Sequence, residues 1–185
     1  MKRLGNSAGR AAAALVAALV LIPIGHYLRF PPGPRPLCHR GIDSAFQQWM
    51  LATGQTNAYP NAEGNGPASL AMVQPYFGQR IQQYAYIPGL REDDPEDLVF
   101  MYMKEKTRRT WHADEDHSIF IPRRWMVLSR EIEYHGTCPE GGELLDTPQF
   151  RKRIMATIAF LKDNQRPYWQ AVANEQLAFL RSVKE

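Results

Sequence analysis

The feature that most constrains this chain is an uncharged, almost wholly apolar run near its N-terminus, Ala11–Ile24. Three basic residues, Lys2, Arg3 and Arg10, precede the run, and no acidic residue interrupts it. A short basic stretch followed by an apolar core is the pattern of a segment that directs export across a membrane. Fourteen apolar residues are short for a spanning helix and typical of the core of a cleaved signal.

Two interpretations of the segment differ in whether it is removed. Cleavage needs small residues just after the apolar core, and Pro23-Ile24-Gly25 does not provide them. Extending the span to Phe30 gives 20 residues, close to bilayer thickness, and Arg29 can then snorkel to the interface. The sequence therefore favours a single-pass anchor in the inner (cytoplasmic) membrane, with the C-terminal domain outside the cytoplasm. If the segment is cleaved, the product is an exported soluble protein.

The composition divides the chain into three parts. Residues 1–30 form the membrane anchor or signal segment, and residues 31–37 form a proline-rich spacer, which favours an extended backbone. Residues 38–185 form the extracytoplasmic domain, which is long enough to bury a core.

The charge balance excludes a general attraction to nucleic acid. The chain has a net charge of +3, but residues 1–30 contain four basic residues and no acidic one. Without them, 18 basic residues stand against 19 acidic ones, so the folded part has no overall basic field. The expected partners are the membrane and another protein, and no nucleic acid.

Cys38 and Cys138 are the only two cysteines, and they predict a disulfide in an exported domain. A bridge closing a loop of about 100 residues stabilises the fold by about 4–5 kcal/mol in the chain-entropy estimate. Free thiols are one alternative, and a zinc site with His39 and His135 is another. Zinc is disfavoured because adjacent Cys38 and His39 fit one tetrahedral ion poorly.

Apolar periodicity predicts the elements of the domain. Residues 41–53 have helical spacing and end at Gly54, and Pro67–Tyr76 is predicted as a short helix. Short apolar runs with turn-like connections then predict an antiparallel meander. Its predicted strands are Tyr84–Ile87, Leu98–Met103 and Trp125–Leu128.

The last third of the chain predicts two helices. Thr147 is predicted as the N-cap of the first, Pro148 as its first residue, and Pro167 as the start of the second. The expected fold class is therefore α+β. It has an N-terminal membrane helix, a small antiparallel sheet backed by a helix, and a C-terminal helical hairpin.

The densest polar cluster is a candidate metal site made of His112, Asp114, Asp116 and His117. Imidazole and carboxylate groups so close in sequence can hold a divalent cation, and an exposed hairpin loop explains the same composition equally well. The acid-rich segment 92–97 contains oxygen ligands that suit calcium, but acids beside a proline are also ordinary turn chemistry.

No catalytic residue is predicted. The serines lack the context of a nucleophile elbow, and no phosphate-binding loop or dinucleotide fingerprint is present. Apart from a possible divalent metal, the sequence predicts no cofactor.

The order of motifs across residues 38–128 resembles the head region of a known family. After Cys38 and an amphipathic helix come Thr56-Asn57-Ala58-Tyr59-Pro60-Asn61, then Pro75-Tyr76-Phe77 and Tyr84-Ala85-Tyr86-Ile87-Pro88-Gly89. This order is similar to that of type II secretion pseudopilins and of the pilin-like proteins of planctomycetes and verrucomicrobia. The resemblance implies an exported head with a small antiparallel sheet. The prepilin leader motif is absent, so it does not imply assembly into a filament.

These observations lead to one principal expectation for function and two alternatives. The principal one is a membrane-anchored extracytoplasmic domain with a structural or interaction role, as part of an envelope or secretion assembly. The first alternative is a metal-dependent extracytoplasmic enzyme that uses the His112–His117 cluster. The second is an exported ligand-binding domain, which a deep apolar pocket would favour.

Overall fold

The structure is a computed structural model of the whole chain. It describes residues 5–29, 39–54, 71–72, 74–76, 78–91, 93–107, 122–129 and 142–183.

The N-terminal helix α1 comprises Gly5–Arg29. Its side chains are described at residues 12–22 and 24–25, and all of them are exposed. Within the described part of the chain, the structure contains no helix with both the length and the apolar character needed to cross a membrane.

Helix α2, His39–Thr53, contains the predicted segment 41–53 and ends where the sequence indicates. Gly54 follows with φ +67°, the left-handed conformation that terminates many helices. Residues 71–72 and 74–76 are helical, within the predicted short helix. A 3-10 helix, Gly78–Gln83, then leads directly into the sheet and was not predicted.

Four strands form an antiparallel sheet in chain order, which confirms the predicted α+β class. The strands are β1 (Tyr84–Tyr86), β2 (Val99–Met103), β3 (Trp125–Ser129) and β4 (Glu143–Leu145). Three of them lie where apolar runs predicted them. Each strand pairs with the next one along the chain, as expected when short turns connect them.

The two faces of the sheet follow from its register. Ala85 pairs with Tyr102, which pairs with Val127, so these three side chains share one face. Tyr86 and its partner Met101 share the opposite face. Every residue of β2 and β3 is buried, so both faces are covered. This explains why these strands are continuous apolar runs rather than alternating ones.

A register shift between Val99 and Met101 interrupts the pairing of β2 with β3. At this point the N–H of Val99 donates to the hydroxyl oxygen of Thr157, at 3.1 Å, on the first C-terminal helix. The Thr157 hydroxyl in turn donates to the backbone oxygen of Arg153, at 3.2 Å. The irregular start of β2 is therefore held by the helix, and its buried N–H is satisfied.

Helix α3, Thr147–Asp163, begins with a capping box that places the N-cap one residue earlier than predicted. The Asp146 carboxylate accepts from the N–H of Gln149 at 2.8 Å, and the Gln149 side chain accepts from the N–H of Asp146 at 3.2 Å. Thr147, predicted as the cap, is instead the first helical residue. Its hydroxyl accepts from the indole N–H of Trp125 at 3.4 Å.

Helix α4, Trp169–Ser182, forms an antiparallel hairpin with α3. The guanidinium of Arg151, near the start of α3, donates to the backbone oxygen of Val183 just past the end of α4, at 2.8 Å. The second helix was predicted to begin at Pro167. It begins two residues later because Tyr168, at φ +61°, still belongs to the connecting turn.

An aromatic cluster joins the hairpin to the sheet. Phe150 of α3 is fully buried and stacks on Trp125 of β3, with ring centroids 4.6 Å apart and planes at 14°. Tyr102 of β2 meets the same ring edge-on at 5.2 Å, and Phe179 of α4 lies 5.2 Å from Tyr102. Offset and edge-on aromatic contacts add stability beyond that of area burial alone.

The opposite face of the sheet is in contact with α2. Phe46 packs edge-on against Tyr86 at 6.0 Å, and Trp49, one turn further along α2, is also buried in the core. The sequence predicted a sheet backed by a helix and a C-terminal helical hairpin packed against the sheet, without assigning them to its two faces. In the described residues α2 covers one face and the hairpin covers the other, because α2 presents two aromatic side chains on its inward side.

Replacing Gly142 by alanine is expected to lower the free energy of unfolding by about 2–3 kcal/mol. Gly142 has φ +113°, and an added Cβ would lie 2.9 Å from the backbone oxygen of Val127. Gly54→Ala is the matched control, because Gly54 also has positive φ but nothing within 4 Å of the Cβ position. The control is expected to lose only about 1 kcal/mol. Urea unfolding of the full chain in mild detergent measures both, and equal losses would contradict the role of the close contact.

Candidate functional site

The predicted metal and disulfide sites lie outside the described residues. The metal-site residues concerned are His112, Asp114, Asp116 and His117, and the cysteines are Cys38 and Cys138. Among the residues that the structure does describe, no group of three or more His, Cys, Asp or Glu side chains is placed to hold a metal ion. The metal site and the disulfide therefore stay predictions.

The acid-rich segment between β1 and β2 has a structural role at Asp94, which is buried. One carboxylate oxygen of Asp94 accepts from the backbone N–H of Arg91 at 2.8 Å, and the other accepts from the guanidinium of Arg166. Both oxygens are thus bonded within the protein. The side chain that the sequence offered as a calcium ligand instead shapes its own turn and joins it to the helical hairpin.

The ion pair between Asp94 and Arg166 is almost completely buried. The side chains are 6% and 10% exposed, and they lie 72 positions apart in the sequence. The Arg166 guanidinium also lies 5.9 Å from the ring centroid of Phe160. The pair therefore ties the β1–β2 connection to the α3–α4 connection at one end of the domain.

A cavity of ≈ 160 Å³ lies beside the edge strand β1. We call it the β1 cavity. Its apolar wall consists of Ile81 from the 3-10 helix and of β1 itself, Tyr84–Tyr86, all buried. Ala71 and Gln74, from the helical residues before the 3-10 helix, complete one side. The cavity thus has a rigid wall, since a strand and its flanking turn form it.

Lys104 brings a positive charge to the β1 cavity. The residue directly follows β2, and its backbone N–H donates to the carbonyl oxygen of Gln83 at 2.9 Å. Its side-chain ammonium donates to the neighbouring carbonyl oxygen, that of Gln82, at 3.0 Å. Since an ammonium has three donors, this bond orients the group and leaves further N–H groups for a ligand.

Glu175 of α4 brings a negative charge to the same cavity. The residue is partly buried and its Oε2 atom is enclosed. The next residue, Gln176, is buried and accepts a hydrogen bond of 2.6 Å from the hydroxyl of Tyr102. Burial raises the pKa of Tyr102 well above its ordinary value, and the charge of Glu175 raises it further. The Glu175 carboxylate therefore acts on the interior of the domain as well as on the cavity.

The described residues around the cavity are suited to binding a small ligand. One acid and one base line a small cavity with an apolar wall, a composition typical of small-molecule sites. Sequence reasoning missed this site, because its charged residues come from the end of β2 and the middle of α4. The only available signals were Lys104 in a basic segment and a single acid, Glu175, in the last helix.

A comparison with known proteins finds no relative: no family model, no curated protein and no solved structure matches the chain.

Proposed function

We propose that the chain is a single-pass inner-membrane protein whose α+β domain lies outside the cytoplasm. The domain has a structural or interaction role within an envelope or secretion assembly. The proposal is carried by one observation, the exposure of apolar side chains on every side of α1.

The apolar residues of α1 surround the helix instead of forming a single stripe. Seven of them are between 50% and 66% exposed: Leu15, Val16, Leu19, Val20, Leu21, Ile22 and Ile24. At 100° per residue, these positions point in all directions around the axis. A helix that is apolar all round is suited to a protein core or to lipid, and not to water.

The free energy of transferring these apolar side chains out of water favours a membrane environment. Transferring seven such side chains from water to an apolar phase is worth on the order of 10 kcal/mol. The proposed span, residues 11–30, extends beyond the described side chains at both ends. The basic residues Lys2, Arg3 and Arg10 before the span are balanced by Arg29, Arg35 and Arg40 at its other end, so the shortness of the N-terminal tail is what favours its retention inside the cytoplasm.

The order of elements supports an interaction role like that of a pseudopilin head. A helix with an apolar face, α2, comes before the antiparallel strands β1–β3, as the resemblance implies. The helical hairpin α3–α4 is an addition beyond that pattern. It packs on the face of the sheet opposite α2 and makes this domain larger than a head of that kind.

The alternative is a metal-dependent extracytoplasmic enzyme. It depends on His112, Asp114, Asp116 and His117, which lie outside the described residues, and no observation in the described part of the chain favours it.

Substituting Leu19 by arginine tests the anchor. An arginine at the centre of a spanning helix costs about 3–4 kcal/mol relative to leucine, so the membrane-bound fraction is expected to fall sharply. The matched control is Leu51→Arg, since Leu51 is a leucine of α2 that is 80% exposed. The control is expected to remain in the membrane.

Carbonate extraction and ultracentrifugation of cell membranes measure the bound fraction, and protease treatment of spheroplasts tests the orientation. Wild-type protein should resist extraction, and its C-terminal domain should be digested from outside. Recovery of the wild-type chain in the cytosolic fraction, or equal release of both variants, would contradict the proposal.

A further inference from the structure

The β1 cavity suggests a ligand, because it combines opposite charges with an apolar wall. Lys104 and Glu175 line the same ≈ 160 Å³ space, beside the buried residues of β1. The two side chains belong to different elements, so the fold itself determines their separation. This differs from a salt bridge along one helix, where neighbouring residues pair for solubility.

The volume limits the ligand to a small molecule. An apolar cavity of about 150 Å³ accommodates a benzene ring, so the β1 cavity has room for about six to nine non-hydrogen atoms. Gln74 and Gln82 add amide groups to the lining, and both side chains are exposed at the mouth. Since all these groups line one small cavity, a ligand of this size lies close to both charges and to the apolar wall.

The charges determine the polarity of the ligand. The ammonium of Lys104 is oriented by its bond to the Gln82 carbonyl oxygen and can donate to an anionic group. The Glu175 carboxylate lines the same cavity, and its negative charge favours a cationic group. Ile81 and Ala85 provide a small apolar surface. One anionic end, one cationic end and a short apolar side chain describe an α-amino acid.

We propose that the β1 cavity binds a small zwitterion of the α-amino-acid class, with its carboxylate at Lys104 and its ammonium at Glu175. The apolar side chain then lies against Ile81 and Ala85. The site goes beyond the proposed function and does not depend on the membrane anchor.

The test uses the full chain in mild detergent and calorimetric titration with glycine, L-alanine, L-valine and L-leucine. At least one is expected to bind with a dissociation constant below 1 mM. For the best of them, acetylating the amine or converting the carboxylate to an amide is expected to weaken binding at least tenfold. The capped ligands probe the wild-type protein, so this comparison does not depend on any variant folding.

Two variants test which residue binds each charged group of the ligand. Lys104→Gln is expected to weaken binding of the zwitterion at least tenfold and to leave binding of the carboxamide derivative unchanged. Glu175→Gln is likewise expected to weaken binding of the zwitterion at least tenfold, and to leave binding of the N-acetyl derivative unchanged. Lys162→Gln and Glu105→Gln are the matched controls, because both residues are exposed and neither lines the cavity. Each control is expected to bind like the wild type.

Three results would overturn the proposal. They are the absence of heat with all four amino acids up to 10 mM, equal affinity for capped and uncapped ligands, and unchanged affinity in Glu175→Gln. The first result leaves the membrane assay of the anchor unaffected, so failure of this site and failure of the proposed function can be told apart.

Discussion

Replacing Arg166 by methionine is expected to lower the free energy of unfolding by about 3–5 kcal/mol. The substitution leaves the carboxylate of Asp94 buried without its counter-charge, because the side chain is only 6% exposed. It also removes the contact of the guanidinium with Phe160. Since whole domains are stable by about 5–15 kcal/mol, a loss of this size is a large part of the total. Urea unfolding followed by tryptophan fluorescence measures it.

A second substitution separates the cost of an orphaned charge from the value of the pair. In Asp94→Leu with Arg166→Met, neither charge remains, and the loss is expected to be smaller than for Arg166→Met alone. Glu143→Gln is the control, because it removes an ion pair with Arg153 at 3.2 Å in which the carboxylate is 53% exposed. Exposed pairs contribute about 0–1 kcal/mol. If Arg166→Met is no more destabilising than Glu143→Gln, the pair does not hold the two connections together.

Phe150→Ala is the second change with a large expected effect, a loss of about 3–5 kcal/mol. The ring is fully buried between Trp125, on which it stacks, and the edge of Tyr102. Truncation leaves a cavity between α3 and the sheet, because the neighbouring aromatic rings are held by their own strands. The near-ultraviolet circular dichroism of the aromatic cluster is expected to weaken together with the unfolding midpoint.

Met155→Ala is the control for Phe150→Ala. Met155 lies on the same helix and is 46% exposed, so its truncation is expected to cost less than about 1 kcal/mol. The argument that α3 is held to the sheet by its aromatic side chain fails if the two variants unfold at the same urea concentration.

Much of the sheet was predictable because its signals are local. Leu98–Met103 is an apolar run without alternation, and the structure shows β2 buried on both faces. Tyr84–Ile87 ends at Pro88-Gly89, and β1 ends one residue earlier. Strand β4, Glu143–Leu145, was missed because, unlike β1, it contains no aromatic or β-branched residue that favours a strand. Its position is determined by pairing with β3, which is a tertiary effect.

Helix ends were predicted less well than helix centres. The apolar stripe predicted α3, but Thr147 was chosen as the cap although Asp146 and Gln149 form the capping box. Asp and Thr both cap helices, so the sequence alone did not distinguish Asp146 from Thr147 as the N-cap. In the structure the Thr147 hydroxyl instead accepts a hydrogen bond from the indole N–H of Trp125.

The candidate site was beyond sequence reasoning. The metal site was predicted at His112–His117 because histidine and aspartate are dense there. These residues lie outside the described part of the chain. The β1 cavity brings together Ile81, Lys104 and Glu175, which are separated by 23 and 71 positions. No periodicity or motif in the sequence predicts that these three residues lie close together, because their proximity depends on the tertiary packing around the edge strand. The Asp94–Arg166 pair is hidden from sequence analysis for the same reason.

The burial of Phe46 and Trp49 also limits how far the domain can travel. These side chains fix α2 to the sheet, so nine residues, 30–38, separate the end of α1 from the folded part. Even fully extended, a linker of that length spans about 30–35 Å. If α1 spans the bilayer as proposed, these nine residues therefore keep the domain close to the membrane surface. Any protein that it engages must reach to within a few nanometres of the membrane surface, and a partner held further out is inaccessible to it.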